Sequence, residues 1–252
     1  MSLALKVYCR KVSKDMLPKI KKRPGEFDMV VSVHPDFKFD AEQDSGFCLL
    51  SFVWQNHSNS QHKMRKLIAA INMTLDGFCD HTAGIPDDEI HQHYNELLKT
   101  GDFLLYGRIT YQLMESYWPS IVKNPTGNKP IDEFGVLIDD ISKIVFSRTL
   151  KSVQWKNTIL KNALVKEEIL ELKHSNLNGS KNMFVGSPGL INAFAKLDLI
   201  DEYQICVLPI ILGKGLPLFK SIQDSVSLKL VKTKIFESGS IILYYKPQRK
   251  EE

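Results

Sequence analysis

The stretch NMFVGSPGLINAFAKLDLIDEYQICVLPIILGKGLPLF, residues Asn182 to Phe219, decides the fold. It reads as strand, glycine turn, helix, strand and glycine-proline loop, a β-α-β unit. Met183 to Val185 form an apolar strand end, Ser187 is an acceptable helix N-cap, and Pro188 suits the first helical position, where no amide donor is needed. Leu190, Phe194 and Leu197 fall on one helix face. Gly186 and Gly189 leave the backbone bare beside the free amides of the helix start, where N–H groups and the helix dipole can hold a phosphate. A tight turn that needs small residues accounts for the same glycines, so the stretch alone leaves both readings open.

Outward from this unit, 252 residues suffice for one well-packed domain plus an appendage, or for two small domains. Apolar and charged fractions of 43% and 25% are those of an ordinary globular chain. No apolar run is long enough for a membrane span, and the N-terminus lacks a signal core, so the default expectation is a cytoplasmic protein. Cys9, Cys48, Cys79 and Cys206 are scattered without a C-x-x-C pair, which predicts reduced thiols and no metal site. A net charge of +4 is too small to imply nucleic acid. Its most basic segment, Lys6 to Arg23, reads as solvated.

Residues 1–63 differ in texture from the rest. Leu3 to Tyr8, Met29 to Val33 and Phe47 to Trp54 are β-prone runs separated by turn residues, and 56–63 (NHSNSQHK) reads as a linker. The expectation is a small β-rich N-terminal extension of unassigned role, with the main domain over 64–252.

Within that domain, Lys66 to Asn72 is a buried-looking strand, and the turn after it places Thr74 and Asp76 beyond its end. A helix begins near Asp87 or Asp88, with Ile90, Tyr94, Leu97 and Leu98 on its apolar face and His91 and His93 read as solvent-facing. Phe103 to Tyr106 feeds Gly107, Arg108, Ile109 and Thr110, again a strand, a glycine and a helix start, now with a guanidinium suited to phosphate. Tyr117, Trp118 and Pro119 are read as stopping that helix. After a loop, Phe134 to Ile141 reads as helix and Lys143 to Phe146 as strand, ending in Ser147, Arg148 and Thr149, where two hydroxyls flank an arginine. Thr158 to Leu160, the helix Val165 to Lys173 and a terminal hairpin, Leu228 to Phe236 with Ile241 to Lys246, complete a mixed sheet covered by helices on both faces.

Taken in order, TLDG (Thr74 to Gly77), LLYGRITY (Leu104 to Tyr111), YWP (Tyr117 to Pro119), FSRTL (Phe146 to Leu150), FVGSPGL (Phe184 to Leu190), LIDEY (Leu199 to Tyr203) and LPIILGKGLPLF (Leu208 to Phe219) resemble the dihydrofolate reductase-like family. The nearer likeness is to the branch containing the reductase domain of the bifunctional riboflavin-biosynthesis deaminase-reductase and its stand-alone relatives, over about residues 65–246. The resemblance implies a dihydrofolate reductase-like three-layer α/β fold, with a mixed, mainly parallel sheet and a C-terminal antiparallel hairpin. It also implies NADPH as hydride donor and a homodimer.

By that likeness, Gly107, Arg108 and Thr110 hold cofactor phosphate. Ser147, Arg148 and Thr149 take the 2′-phosphate end, and Gly186, Ser187, Pro188, Gly189 and Leu190 the pyrophosphate. Ala70 and Asn72 lie against the nicotinamide, while Thr74, Asp76 and Trp118 border the substrate, with Asp76 a candidate proton source. The pterin-binding acid of true dihydrofolate reductases corresponds to His91, or with a small gap to Glu89 or Asp88, and the loop before it lacks the Trp of those enzymes. The H-x-E and P-C-x-x-C signature of the zinc deaminase partner is absent. The expectation is an NADPH-dependent reductase of a small heterocyclic or carbonyl-type substrate, with a non-catalytic NADPH-binding or regulatory module as the alternative.

Overall fold

Four of the apolar runs carry hydrophobic residues on both sides, which suits strands covered on two faces. The computed structural model describes residues 29–30, 53–54, 64–82, 84, 86–175, 181–220, 222 and 225–248. The chain divides into two units, Met1–His62 and Lys63–Glu252. In the first, β1 (Met29–Val30) pairs antiparallel with β2 (Val53–Trp54). The strand expected at Leu3 to Tyr8, the remainder of the other two runs and the 56–63 linker lie outside the described residues.

The second unit begins with β3 (Leu67–Thr74), α1 (Asp88–Lys99), β4 (Gly101–Gly107), α2 (Arg108–Lys123), α3 (Lys129–Asp140), β5 (Ser142–Phe146) and β6 (Thr158–Lys161). It continues through α4 (Lys166–His174), β7 (Asn182–Val185), α5 (Pro188–Lys196), β8 (Glu202–Leu208), β9 (Leu228–Ile235) and β10 (Ile241–Pro247). The sheet order is β6-β5-β4-β7-β3-β8-β10-β9. Every neighbouring pair from β6 to β8 is parallel, and β10 is antiparallel to both β8 and β9. The mixed, mainly parallel sheet and its antiparallel C-terminal hairpin are therefore as expected.

Strand alternation distributes the core. Leu67, Ala69, Leu105, Ile144, Met183 and Val185 face one side, where Ile169 of α4 and Ile191 and Phe194 of α5 cover them. Ile68, Leu104, Tyr106, Val145 and Phe184 face the other, under Tyr111, Trp118 and Ile121 of α2 and Ile138 of α3. A smaller cluster joins Ile90 of α1 to Cys206, Phe236, Ile242 and Tyr244. Two covered faces give the three layers that the resemblance implied.

Local reading needed correction at three places. α2 does not stop at Tyr117 to Pro119: Pro119 lies inside a helix that runs to Lys123. The lost N–H is outweighed by packing, because Ile121 is buried and α3 brings Gly135 so close that a Cβ there would sit 3.2 Å from Ile121 Cγ2. α3 starts at Lys129 rather than Phe134, since Asn128 Oδ1 caps it by accepting from the Ile131 N–H at 3.2 Å. The two histidines of α1 are not solvent-facing. His91 meets Phe134 edge-on at 6.0 Å, and His93 packs on Phe236 at 5.9 Å and Tyr244 at 6.4 Å. They do point to different sides of the helix, as their spacing requires.

Candidate functional site

The carboxyl ends of β5, β4, β7 and β3 stand side by side, because these strands are consecutive neighbours and all parallel. Register aligns them: Gly107 is level with Phe146, and Val185 is level with Leu105 and Ala69. Three inter-strand steps of about 4.8 Å put roughly 14 Å between the turns at the two ends of this row. Ser147, Gly107, Gly186 and Asn72 are thus brought onto one edge from four separate segments.

Two helices start in the middle of the row. α2 has Gly107 as its N-cap and α5 has Ser187, and neither has a side-chain cap bond. Ser187 is buried, yet its hydroxyl serves the neighbouring turn: Oγ accepts the Gly107 N–H at 3.0 Å. The N-cap expectation holds for position, while the side chain links the two glycine turns. A Cβ on Gly186 would lie 3.1 Å from the Ala70 carbonyl oxygen, so glycine lets β7 turn this close to β3 without displacing that carbonyl. A Cβ on Gly189 would meet nothing within 4 Å, which marks open space over the start of α5. Leu190 is half-buried behind it. Uncapped first-turn amides facing open space are suited to an anion.

Further along, Ser147 is buried and accepts from the Thr149 and Leu150 amides at 3.1 and 3.0 Å, which shapes the turn and leaves Arg148 and Thr149 exposed. Arg108 is exposed, and its Nη1 donates to Gln112 Oε1 at 3.2 Å.

Beside this row lies a cavity of about 430 Å3 between the sheet and α1, α2 and α3. Of the residues singled out in the sequence, Ala70, Asn72, Thr74 and His91 line it. Thr110, Trp118, Gly186 and Pro188 do so as well, which makes the cavity continuous with the glycine turns. Trp118 is buried against Phe134, ring centres 4.6 Å apart, and so forms wall and core together. Glu89 is not on the wall; its Oε2 accepts the Glu237 N–H at 3.0 Å, fastening α1 to the β9–β10 turn.

Asp76 lies at the turn after β3 and is engaged by its neighbours. Its carboxylate accepts from the Thr74 hydroxyl at 2.6 Å, the Gly213 N–H at 2.7 Å and the Leu212 N–H at 3.1 Å. These bonds, the Thr74 hydroxyl first, hold its pKa below the ordinary value. Through these bonds Asp76 anchors the loop at Leu212 and Gly213 to the end of β3. Thr74 is fully buried and also accepts the Phe78 N–H at 3.0 Å, closing the same turn.

One wall residue escaped sequence reasoning. The Tyr94 hydroxyl donates to Asn72 Oδ1 at 2.6 Å, and both residues line the cavity. Burial raises the Tyr94 phenol well above its ordinary pKa, so it stays neutral. In the sequence Tyr94 was one more apolar position on a helical stripe. No signal along the chain pairs it with a residue 22 positions earlier.

The mixed, mainly parallel sheet with an antiparallel C-terminal hairpin, helices on both faces and glycine turns along one carboxyl edge is the dihydrofolate reductase-like three-layer fold that the resemblance implied. The chain belongs to the RibD C-terminal domain family, whose model matches residues 65–242. It is 33% identical over 187 residues to the uncharacterized protein YyaP of Bacillus subtilis (strain 168), covering 73% of this chain and 95% of that protein. Among solved structures, a protein from Shewanella sp. PV-4 named for riboflavin biosynthesis superposes with a TM-score of 0.57 at 23% identity, over 73% of this chain and 99% of its own. The diaminohydroxyphosphoribosylaminopyrimidine deaminase/5-amino-6-(5-phosphoribosylamino)uracil reductase of Thermotoga maritima superposes with a TM-score of 0.51 at 17% identity, over 74% of this chain and 57% of its own. At these identities the structural likeness speaks for the fold.

Proposed function

We propose that the chain is an NADPH-dependent reductase that transfers hydride to a small heterocyclic or carbonyl-type substrate, pterin- or ribosylaminopyrimidine-like. The observation that carries this reading is the continuity of an open, doubly uncapped helix-start row at Gly107 and Gly186–Leu190 with a 430 Å3 cavity. The residues fit the cofactor. Gly186 allows close approach beside Ala70, and Gly189 opens onto free space. The first-turn amides of α5 at Gly186–Leu190 would hold the pyrophosphate, helped by Gly107, Arg108 and Thr110 at the start of α2, and the turn of Ser147 with the exposed Arg148 and Thr149 would hold the 2′-phosphate. NADPH supplies the hydride. Ala70 and Asn72 would lie against the ring that gives up the hydride, Trp118 and Phe134 would exclude water from the cavity, and the proton would come from water or from Asp76.

Direct titration tests the cofactor. NADPH should bind more tightly than NADH, and Arg148→Ala should erase most of that preference; equal affinities for the wild-type chain would remove the 2′-phosphate assignment. In this reading the enzyme works as a cytoplasmic homodimer, supported by Leu230, Val231 and Ile235, which stand exposed on the edge strand β9. Sedimentation equilibrium giving a monomer would remove the dimer. The engagement of Asp76 favours a second reading, a non-catalytic NADPH-binding or regulatory module. Oxidation of NADPH by the purified chain with any of a panel of pterins, ribosylaminopyrimidines, quinones and small ketones rejects it.

A further inference from the structure

The cavity wall is mostly apolar: Leu97, Leu104, Ile109, Leu113 and Met114 join the aromatic face of Trp118. Among the described residues it contains neither Arg nor Lys, and Asp80 is its one carboxylate. Asp80 Oδ2 already accepts the Leu216 N–H at 2.5 Å. On the sheet side the wall offers the Asn72 carboxamide, whose orientation Tyr94 sets by donating to Oδ1 at 2.6 Å. With Oδ1 engaged, Nδ2 remains a donor with no acceptor among the described residues. The 430 Å3 volume suits a fused two-ring molecule.

We propose that this cavity takes a largely apolar carbonyl compound whose carbonyl oxygen accepts from Asn72 Nδ2. Tyr94 is the positioning residue that turns the amide. The inference rests on the cavity being the substrate chamber of the proposed reductase.

The test is calorimetric titration of the full chain without cofactor, using two probes: 7-methoxycoumarin, a neutral planar lactone, and naphthalene, a fused two-ring molecule without an acceptor. The lactone should bind more tightly than naphthalene. Asn72→Leu and the conservative Tyr94→Phe should each weaken the lactone by about five- to tenfold, the loss of one hydrogen bond, and leave naphthalene unchanged. Absence of lactone binding, or an equal loss for lactone and naphthalene in both variants, overturns the proposal. NADPH titrated separately into the same protein tells the two failures apart. Intact cofactor binding with a failed lactone test removes the substrate class alone, and absent cofactor binding removes the reductase reading.

Discussion

Ser187 shows how little a residue's place in its own element says about its use. Its position is that of an N-cap, but its hydroxyl accepts the Gly107 amide across the β4–β7 junction. Ser187→Ala is expected to cost about 1 kcal/mol or somewhat more, since a part-buried N–H loses its acceptor, and to weaken NADPH binding; chemical denaturation and cofactor titration measure the two effects. Asp76 argues the same point for charge. Its pKa is lowered by the Thr74 hydroxyl and by the Gly213 and Leu212 amides, so its stabilising contribution is present above the ordinary carboxylate pKa and fades as pH falls through the depressed one. Asp76→Asn should lower the melting temperature at neutral pH while leaving the pH profile of turnover unmoved. A displaced acid limb in that profile would return Asp76 to the role of proton donor.

At the scale of elements, helices are held by contacts that local propensity does not contain. α4 is fastened by Lys173, nearly buried, whose ammonium meets Asp201 Oδ2 at 2.6 Å and the Leu199 carbonyl at 3.1 Å. Asp201 in turn accepts the Leu67 N–H at 2.8 Å, so one pair ties α4 to the first residue of β3. Lys173→Met should destabilise the protein by about 2 kcal/mol, less than for a fully enclosed pair because Asp201 keeps its backbone donor. Urea unfolding with an unchanged slope would be the expected result. α1 illustrates the other side of tertiary control. A single turn of sequence, His91 to Tyr94, supplies one cavity wall, one core ring and the hydroxyl that sets Asn72, and only the neighbours of each face distinguish the three.

For the whole molecule, the cluster beneath the C-terminal hairpin makes stability depend on pH. His93 is packed among Tyr94, Phe236 and Tyr244, and its Nε2 is buried without a hydrogen-bond partner among the described residues. Burial first, then Lys234 and Lys232, lowers its pKa from 6.5 to about 4. The folded chain therefore binds fewer protons than the unfolded chain between these values. The His93 contribution is full above pH 6.5 and is lost as pH falls towards 4. Melting temperature should decline over that interval, and His93→Leu should flatten the decline; parallel curves for the two proteins would refute the assignment. By itself, the sequence determined the alternation of strands and helices, the two-sided burial of the central strands, the terminal hairpin and the three turns rich in glycine, hydroxyls and arginine. Those are properties of periodicity and turn chemistry, which act over a few residues. Tertiary structure alone decided that β4, β7 and β3 lie adjacent, so that turns 80 residues apart share a hydrogen bond, that α2 runs through Pro119, and that Tyr94 faces Asn72. These depend on which strands become neighbours and how closely helices approach, and no local pattern encodes either distance.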